Sequence, residues 1–146
     1  MKEVSEGKVC VFGKTISLGD TYEIVENLLK GNIFSESKRE QFCYITTNDL
    51  DIFGMPGNVV LKFEDGVLVK IKVVPDPLRL YQDEPDTFMS SVKFGEMCDK
   101  YTEKYFGKPK FCDKFSLSKT YEFDNCIFKC GINMNTDLFT AEIVPV

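Results

Sequence analysis

The chain has 146 residues, with 18 Lys and Arg against 23 Asp and Glu for a formal net charge of −5, no His, no Trp, six Cys, 13 Phe and 6 Tyr. Without histidine there is no Ser-His or Cys-His nucleophile pair, no imidazole metal ligand and no side chain that titrates near neutrality unperturbed. The acidic balance speaks against a nucleic-acid partner, whose phosphates ask for a basic surface.

At this length one core of ordinary size is expected, and the 43% hydrophobic and 28% charged fractions fit a folded domain. The opening Met1 to Lys8 alternates charge with small residues and holds no apolar signal region. The location expected is cytoplasmic if Met1 is the native start, and otherwise exported with the signal removed. Apolar runs such as Val59-Val60-Leu61 are short, so no membrane span is expected.

In chain order, Asp20 with Glu23 three residues on has the spacing of a capping box, and Gly31 can take the left-handed conformation that stops a helix. Between them Ile24, Val25, Leu28 and Leu29 share one stripe, while Glu23, Glu26, Asn27 and Lys30 face water. Phe42 to Thr46 reads as a strand. Leu50 to Gly57 reads as a loop whose large apolar residues either fold back onto the core or anchor a partner.

The clearest strands flank Glu64-Asp65-Gly66. A two-residue Asp-Gly loop would set Leu61 opposite Lys70 and Val59 opposite Lys72, mixing core and solvent on one face. A three-residue loop with Gly66 in a G1 bulge instead pairs Phe63 with Val67, Leu61 with Val69 and Val59 with Ile71. Lys62, Lys70 and Lys72 then line the opposite face. Residues 76–86, with three prolines and several acids, read as a connector.

A second helix, starting as early as Phe88, buries Met97, Tyr101 and Tyr105 and exposes Glu96 and Lys100. Tyr121 and Phe123 lead into Cys126, Phe128, Cys130 and Ile132 on alternating positions, and Phe139, Ala141 and Ile143 continue an inward row. The sum is an α+β fold, an antiparallel sheet with helices packed on one face. An offset of 76 residues lays Ile16-Ser17-Leu18-Gly19-Asp20 over Val92-Lys93-Phe94-Gly95-Glu96, and Gly31 over Gly107. Residues 1–146 therefore read as a single domain of two tandem helix-plus-strands repeats, about 8–75 and 87–146.

The six cysteines show no Cys-x2-Cys knuckle, so no metal site is expected. They read as small buried hydrophobes, with a secreted disulfide framework as the alternative. The acids, including Asp49 with Asp51 and Asp83 with Glu84, sit in no catalytic frame. No catalytic residue and no cofactor is assigned. Residues that could meet a partner are Ile52, Phe53 and Met55 in the apolar loop and the lysines 62, 70 and 72.

Ile16-Ser17-Leu18-Gly19-Asp20-Thr21-Tyr22-Glu23-Ile24-Val25, followed by Leu28-Leu29 and Gly31, resembles the opening of the small outer-membrane lipoprotein domain of the SmpA/OmlA type. It is similar as well to the repeat unit of the β-lactamase inhibitor protein family, and Gly107-Lys108-Pro109 fits the turn closing the second helix. The resemblance implies helix-plus-strands repeats and action through protein contacts. The chain departs from it in lacking a lipobox and paired disulfides. The function expected is a non-enzymatic protein-protein interaction module of the inhibitor or immunity type, with another protein as partner. The alternative is a small-ligand-binding or enzymatic α+β protein with a pocket between helices and sheet, using Tyr44, Tyr101 and Tyr121.

Overall fold

Strands with alternating apolar residues form the middle of the main sheet. The computed structural model describes residues 2–52, 55–75, 87–113, 118–133 and 138–146, and β-structure dominates it. A 3-10 turn at Lys2–Glu6 precedes a hairpin of β1 (Lys8–Val11) and β2 (Lys14–Ser17), then helix α1 (Tyr22–Leu28). β3 (Ser35–Arg39), β4 (Phe42–Ile52), β5 (Met55–Glu64) and β6 (Val67–Pro75) follow. After them come α2 (Thr87–Phe106), β7 (Phe111–Asp113), β8 (Ser118–Glu122), β9 (Cys126–Asn133) and β10 (Leu138–Pro145).

Eight strands make one antiparallel sheet in the order β3-β4-β5-β6-β10-β9-β8-β7, and β1 and β2 pair apart from it. β6 meets β10 in the middle through Ile71↔Ile143, Lys72↔Glu142 and Val73↔Ala141, so early and late strands share one sheet. Alternation sends Val59, Leu61, Phe63, Ile71, Phe128, Phe139 and Ile143 to a common inward side, each at most 1% exposed.

The expected α+β class, with helices on one face in two tandem repeats, is corrected by this arrangement. The chain is mostly β, the described residues hold two α-helices, and no tandem repeat is shown. The segments matched at the 76-residue offset take different structures. Ile16 and Ser17 end strand β2 and Gly19 turns at φ 91, whereas Val92 to Glu96 lie inside α2. Nor is the inward side covered by a helix layer alone, since Val4 of the 3-10 turn and Val11 and Ile16 of the first hairpin join the core. The Cys126 thiol bonds the Val4 carbonyl at 3.4 Å, tying that turn to β9. Strand content exceeds the expectation because β3 (Ser-Glu-Ser-Lys-Arg) lacks apolar alternation and is ordered by backbone pairing, while the strands of the first hairpin are only four residues each. The connector at 76–86 lies outside the described residues.

Local signals shift by small steps. The residue capping α1 is Thr21, whose hydroxyl accepts from the Ile24 amide at 3.4 Å, while the Asp20 carboxylate accepts from the Ser17 amide at 2.9 Å. Tyr22, Val25 and Leu29 are buried and Ile24 is 53% exposed. The β5–β6 turn is the two-residue Asp65-Gly66 loop, both at positive φ (51 and 80). Glu64↔Val67 and Phe63↔Leu68 pair first, and a register shift between Lys62 and Phe63 then restores Lys62↔Lys70 and Leu61↔Ile71. A bulge thus reconciles the short turn with apolar pairing. Leu50 to Gly57 is not a free loop: the β4–β5 ladder runs on through Leu50↔Gly57, Asp51↔Pro56 and Ile52↔Met55.

Helix α2 starts at Thr87 and buries Phe94, Cys98, Tyr101 and Thr102, leaving Tyr105 45% exposed. Its Gly95 permits close approach to β10, because a Cβ there would stand 2.9 Å from the ring of Phe139. In an open helix Gly→Ala adds about 1 kcal/mol of stability. Gly95→Ala is expected to do the opposite and cost about 1–3 kcal/mol in urea denaturation, because Phe139 is 1% exposed and cannot swing away.

Candidate functional site

Side chains alternate along each strand, so the residues not used by the core define the second face of the sheet. β4 places Tyr44 and Thr46 there, β5 Val60 and Lys62, and β6 Lys70, Lys72 and Val74. β10 adds Thr140 and Glu142, and β9 adds Lys129. All are half-buried or exposed, while Ile45, Val59, Leu61, Phe63, Ile71 and Val73 between them are buried. Aromatic, β-branched and charged side chains are interleaved across the middle strands.

Lys62 stands directly opposite Lys70, an unfavourable like-charge pair. Each is relieved on its far side. The Lys62 ammonium lies 4.8 Å over the ring of Phe42, and that of Lys70 is 3.6 Å from the Glu142 carboxylate. Lys72 faces Glu142 across the β6–β10 ladder. With side chains 36% and 28% exposed, the Lys70–Glu142 pair is a weak tie that a stronger anion could replace. A shallow cavity of about 260 Å³ opens on the same face beside Lys129, Gly131, Thr140 and Glu142.

The structure therefore brings Lys62, Lys70 and Lys72 together. It separates them from the other expected partner residues. Ile52 and Met55 are the last paired residues of the β4–β5 hairpin, seven positions along β5 from Lys62, roughly 23 Å at about 3.3 Å per residue. Phe53 lies outside the described residues. Two neighbours of the lysines escaped the sequence reading. Phe42 and Val67, 38% and 39% exposed, both pair with Glu64 and form an apolar margin at one end of the face. Only their position at strand starts could have signalled this.

The three tyrosines of the pocket reading do not meet. Tyr44 is on the outward face, whereas Tyr101 and Tyr121 flank Phe106, with ring centroids 5.7 and 5.3 Å from it. Phe123 and Phe128 complete this cluster, so rings fill the space between α2 and the sheet there. A cavity of about 340 Å³ lies elsewhere, beside Glu26, Lys30, Gly31 and Glu36 of the α1 region. At its edge Tyr22 donates a hydrogen bond to the Glu36 carboxylate. Burial raises the Tyr22 hydroxyl pKa, and the bond from Tyr22 holds the Glu36 carboxyl below its usual value.

All six cysteines are free; Cys98, Cys126 and Cys130 are buried, Cys43 is half-buried, and Cys10 and Cys112 are exposed. Among the described residues no group of three or more Cys, Asp or Glu is placed to hold a metal ion. No described helix is long and apolar enough to cross a membrane.

No known family profile and no curated protein matches the chain. Among solved structures, it is similar to a cysteine-rich secretory protein from Staphylococcus aureus subsp. aureus Mu50 at 6% identity and a TM-score of 0.46, over 88% of this chain and 44% of that one. The chain thus spans less than half the length of that protein, and at this score the likeness carries no inference about fold or function.

Proposed function

We propose that the chain is a non-enzymatic protein-interaction module that docks another protein on the outward face of its sheet, centred on Lys62, Lys70 and Lys72. The observation supporting this reading is the contrast between the two faces. Along the middle strands one carries the buried rows of the core, while the other presents half-buried Tyr44, Val60 and Val74 among lysines. Eight strands span about 34 Å at about 4.8 Å per spacing. With about 17 Å of each strand in use, the face offers on the order of 600 Å² before its margins. A standard interface takes about 800 Å² per partner, which the Phe42–Val67 margin helps to supply. The lysines select a partner with an acidic patch and the apolar residues between them contribute the contact area.

Affinity capture with the immobilised chain, set beside the triple variant Lys62→Glu, Lys70→Glu and Lys72→Glu, tests the proposal. These positions are half-buried and outward, so the variant is expected to keep its far-ultraviolet circular dichroism. The parent should retain a stoichiometric partner, and the variant should bind it at least about tenfold more weakly. Equal retention by both forms, or no stoichiometric partner from the native source, contradicts the proposal.

A further inference from the structure

Cys98 of α2 and Cys130 of β9 are neighbours in the same core cluster, 0% and 4% exposed, and each thiol shifts the ionisation of the other. An ion pair runs beside them. Asp99, the next residue of α2, is 2.7 Å from the ammonium of Lys119, and Lys119 is the β8 partner of Cys130 in the ladder. The Asp99–Lys119 pair thus ties the helix to the sheet one residue from Cys98 and directly across from Cys130. The third buried cysteine is differently engaged, since the Cys126 thiol bonds the Val4 carbonyl.

We propose that Cys98 and Cys130 are a reversible dithiol–disulfide pair that locks α2 onto the sheet when a low-molecular-weight disulfide is the oxidant. The Cys98 thiol beside it holds the Cys130 thiol below its usual pKa while Cys98 itself is pushed up, so Cys130, the more exposed of the two, is the attacking sulfur. Its thiolate attacks one sulfur of the small disulfide, breaking that S–S bond and releasing a small thiolate. Cys98 passes its proton to the released thiolate and attacks the sulfur of Cys130, expelling the second small thiolate, which takes up the proton that Cys130 lost on ionising. Two protein thiols are oxidised and one small disulfide is reduced to two thiols. The bond closes the chain between residues 98 and 130, a loop long enough for the constraint on the unfolded state to matter.

The full chain is equilibrated with oxidised glutathione, alkylated and mapped by peptide mass. The expected product is a single Cys98–Cys130 bond, with Cys126 still free, a Tm raised by about 5–10 °C, and full reversal by dithiothreitol. A chain carrying Cys10→Ser, Cys43→Ser and Cys112→Ser should behave alike, and adding Cys130→Ser should abolish both the bond and the Tm shift. Should that last variant not fold, mapping of the parent chain, which needs no substitution, decides. The inference is overturned if Cys98 and Cys130 stay alkylatable while other thiols oxidise, or if the bond forms and lowers Tm.

Discussion

Phe128→Ala is expected to lower the free energy of unfolding by about 3–5 kcal/mol, a large share of the roughly 5–15 kcal/mol that a domain of this kind holds. Phe128 is fully buried on β9, with ring centroids 5.7 Å from Phe106 and 6.2 Å from Tyr121. Its neighbours come from α2, β8 and β10, and a helix seated on the sheet cannot close a ring-sized gap without unseating other aromatic contacts. Urea denaturation followed by tyrosine fluorescence and circular dichroism measures the loss. The two signals should fall together in one transition, because β6 and β10 join early and late strands over one core. Separate transitions would show that the two ends of the sheet unfold independently.

Phe63→Ala probes the other end and should cost a similar amount, about 3–5 kcal/mol. Phe63 is fully buried on β5 and meets the ring of Tyr22 edge-on at 5.0 Å. The edge-on pair adds about 0.5–1.5 kcal/mol to simple burial. Removing it also loosens α1, because the Tyr22 hydroxyl holds Glu36 and its ring supports the Lys38 ammonium at 4.7 Å. Hydrogen exchange should therefore quicken at the amides of Val25 and Leu29 in this variant, while the β9 and β10 amides keep their protection in native conditions. Unchanged α1 exchange would mean that the helix is seated by something other than this ring pair.

Strand parity was the part of the fold legible in the residues. The inward rows Val59-Leu61-Phe63, Cys126-Phe128-Cys130 and Phe139-Ala141-Ile143 are buried as alternation requires, because a one-residue slip would expose an entire row. What parity leaves undetermined is where an extra residue enters. The register shift beside Phe63 allows the two-residue Asp65-Gly66 turn that a bulge-free ladder excluded. A second shift between Thr47 and Leu50 keeps β4 paired into the segment expected to be a loop. The edge strands were missed for a different reason: β3 and β7 bury almost nothing and depend on a neighbour's backbone groups. In α2 the expected stripe Met97-Tyr101-Tyr105 is rotated: Tyr101 is buried, but packing of Phe94 against Phe139 turns Phe94, Cys98 and Thr102 inward and leaves Tyr105 exposed. Glycine similarity at helix ends suggested a repeat because Gly31 and Gly107 both turn at positive φ (89 and 76), a demand that any helix stop makes.

The lysines of the candidate site were visible as the polar phase of β5 and β6, but their company was not. Phe42 comes from β4 and Glu142 from β10, and only the sheet order places them beside Lys62 and Lys70. Covalent lysine footprinting of the chain, alone and saturated with its captured partner, tests the docking face most directly. Lys62, Lys70, Lys72 and Lys129 are expected to lose reactivity together on binding, while Lys14 of the first hairpin and Lys100 and Lys104 of α2 react as before. Protection of the hairpin and helix lysines, with the sheet lysines unchanged, would contradict it.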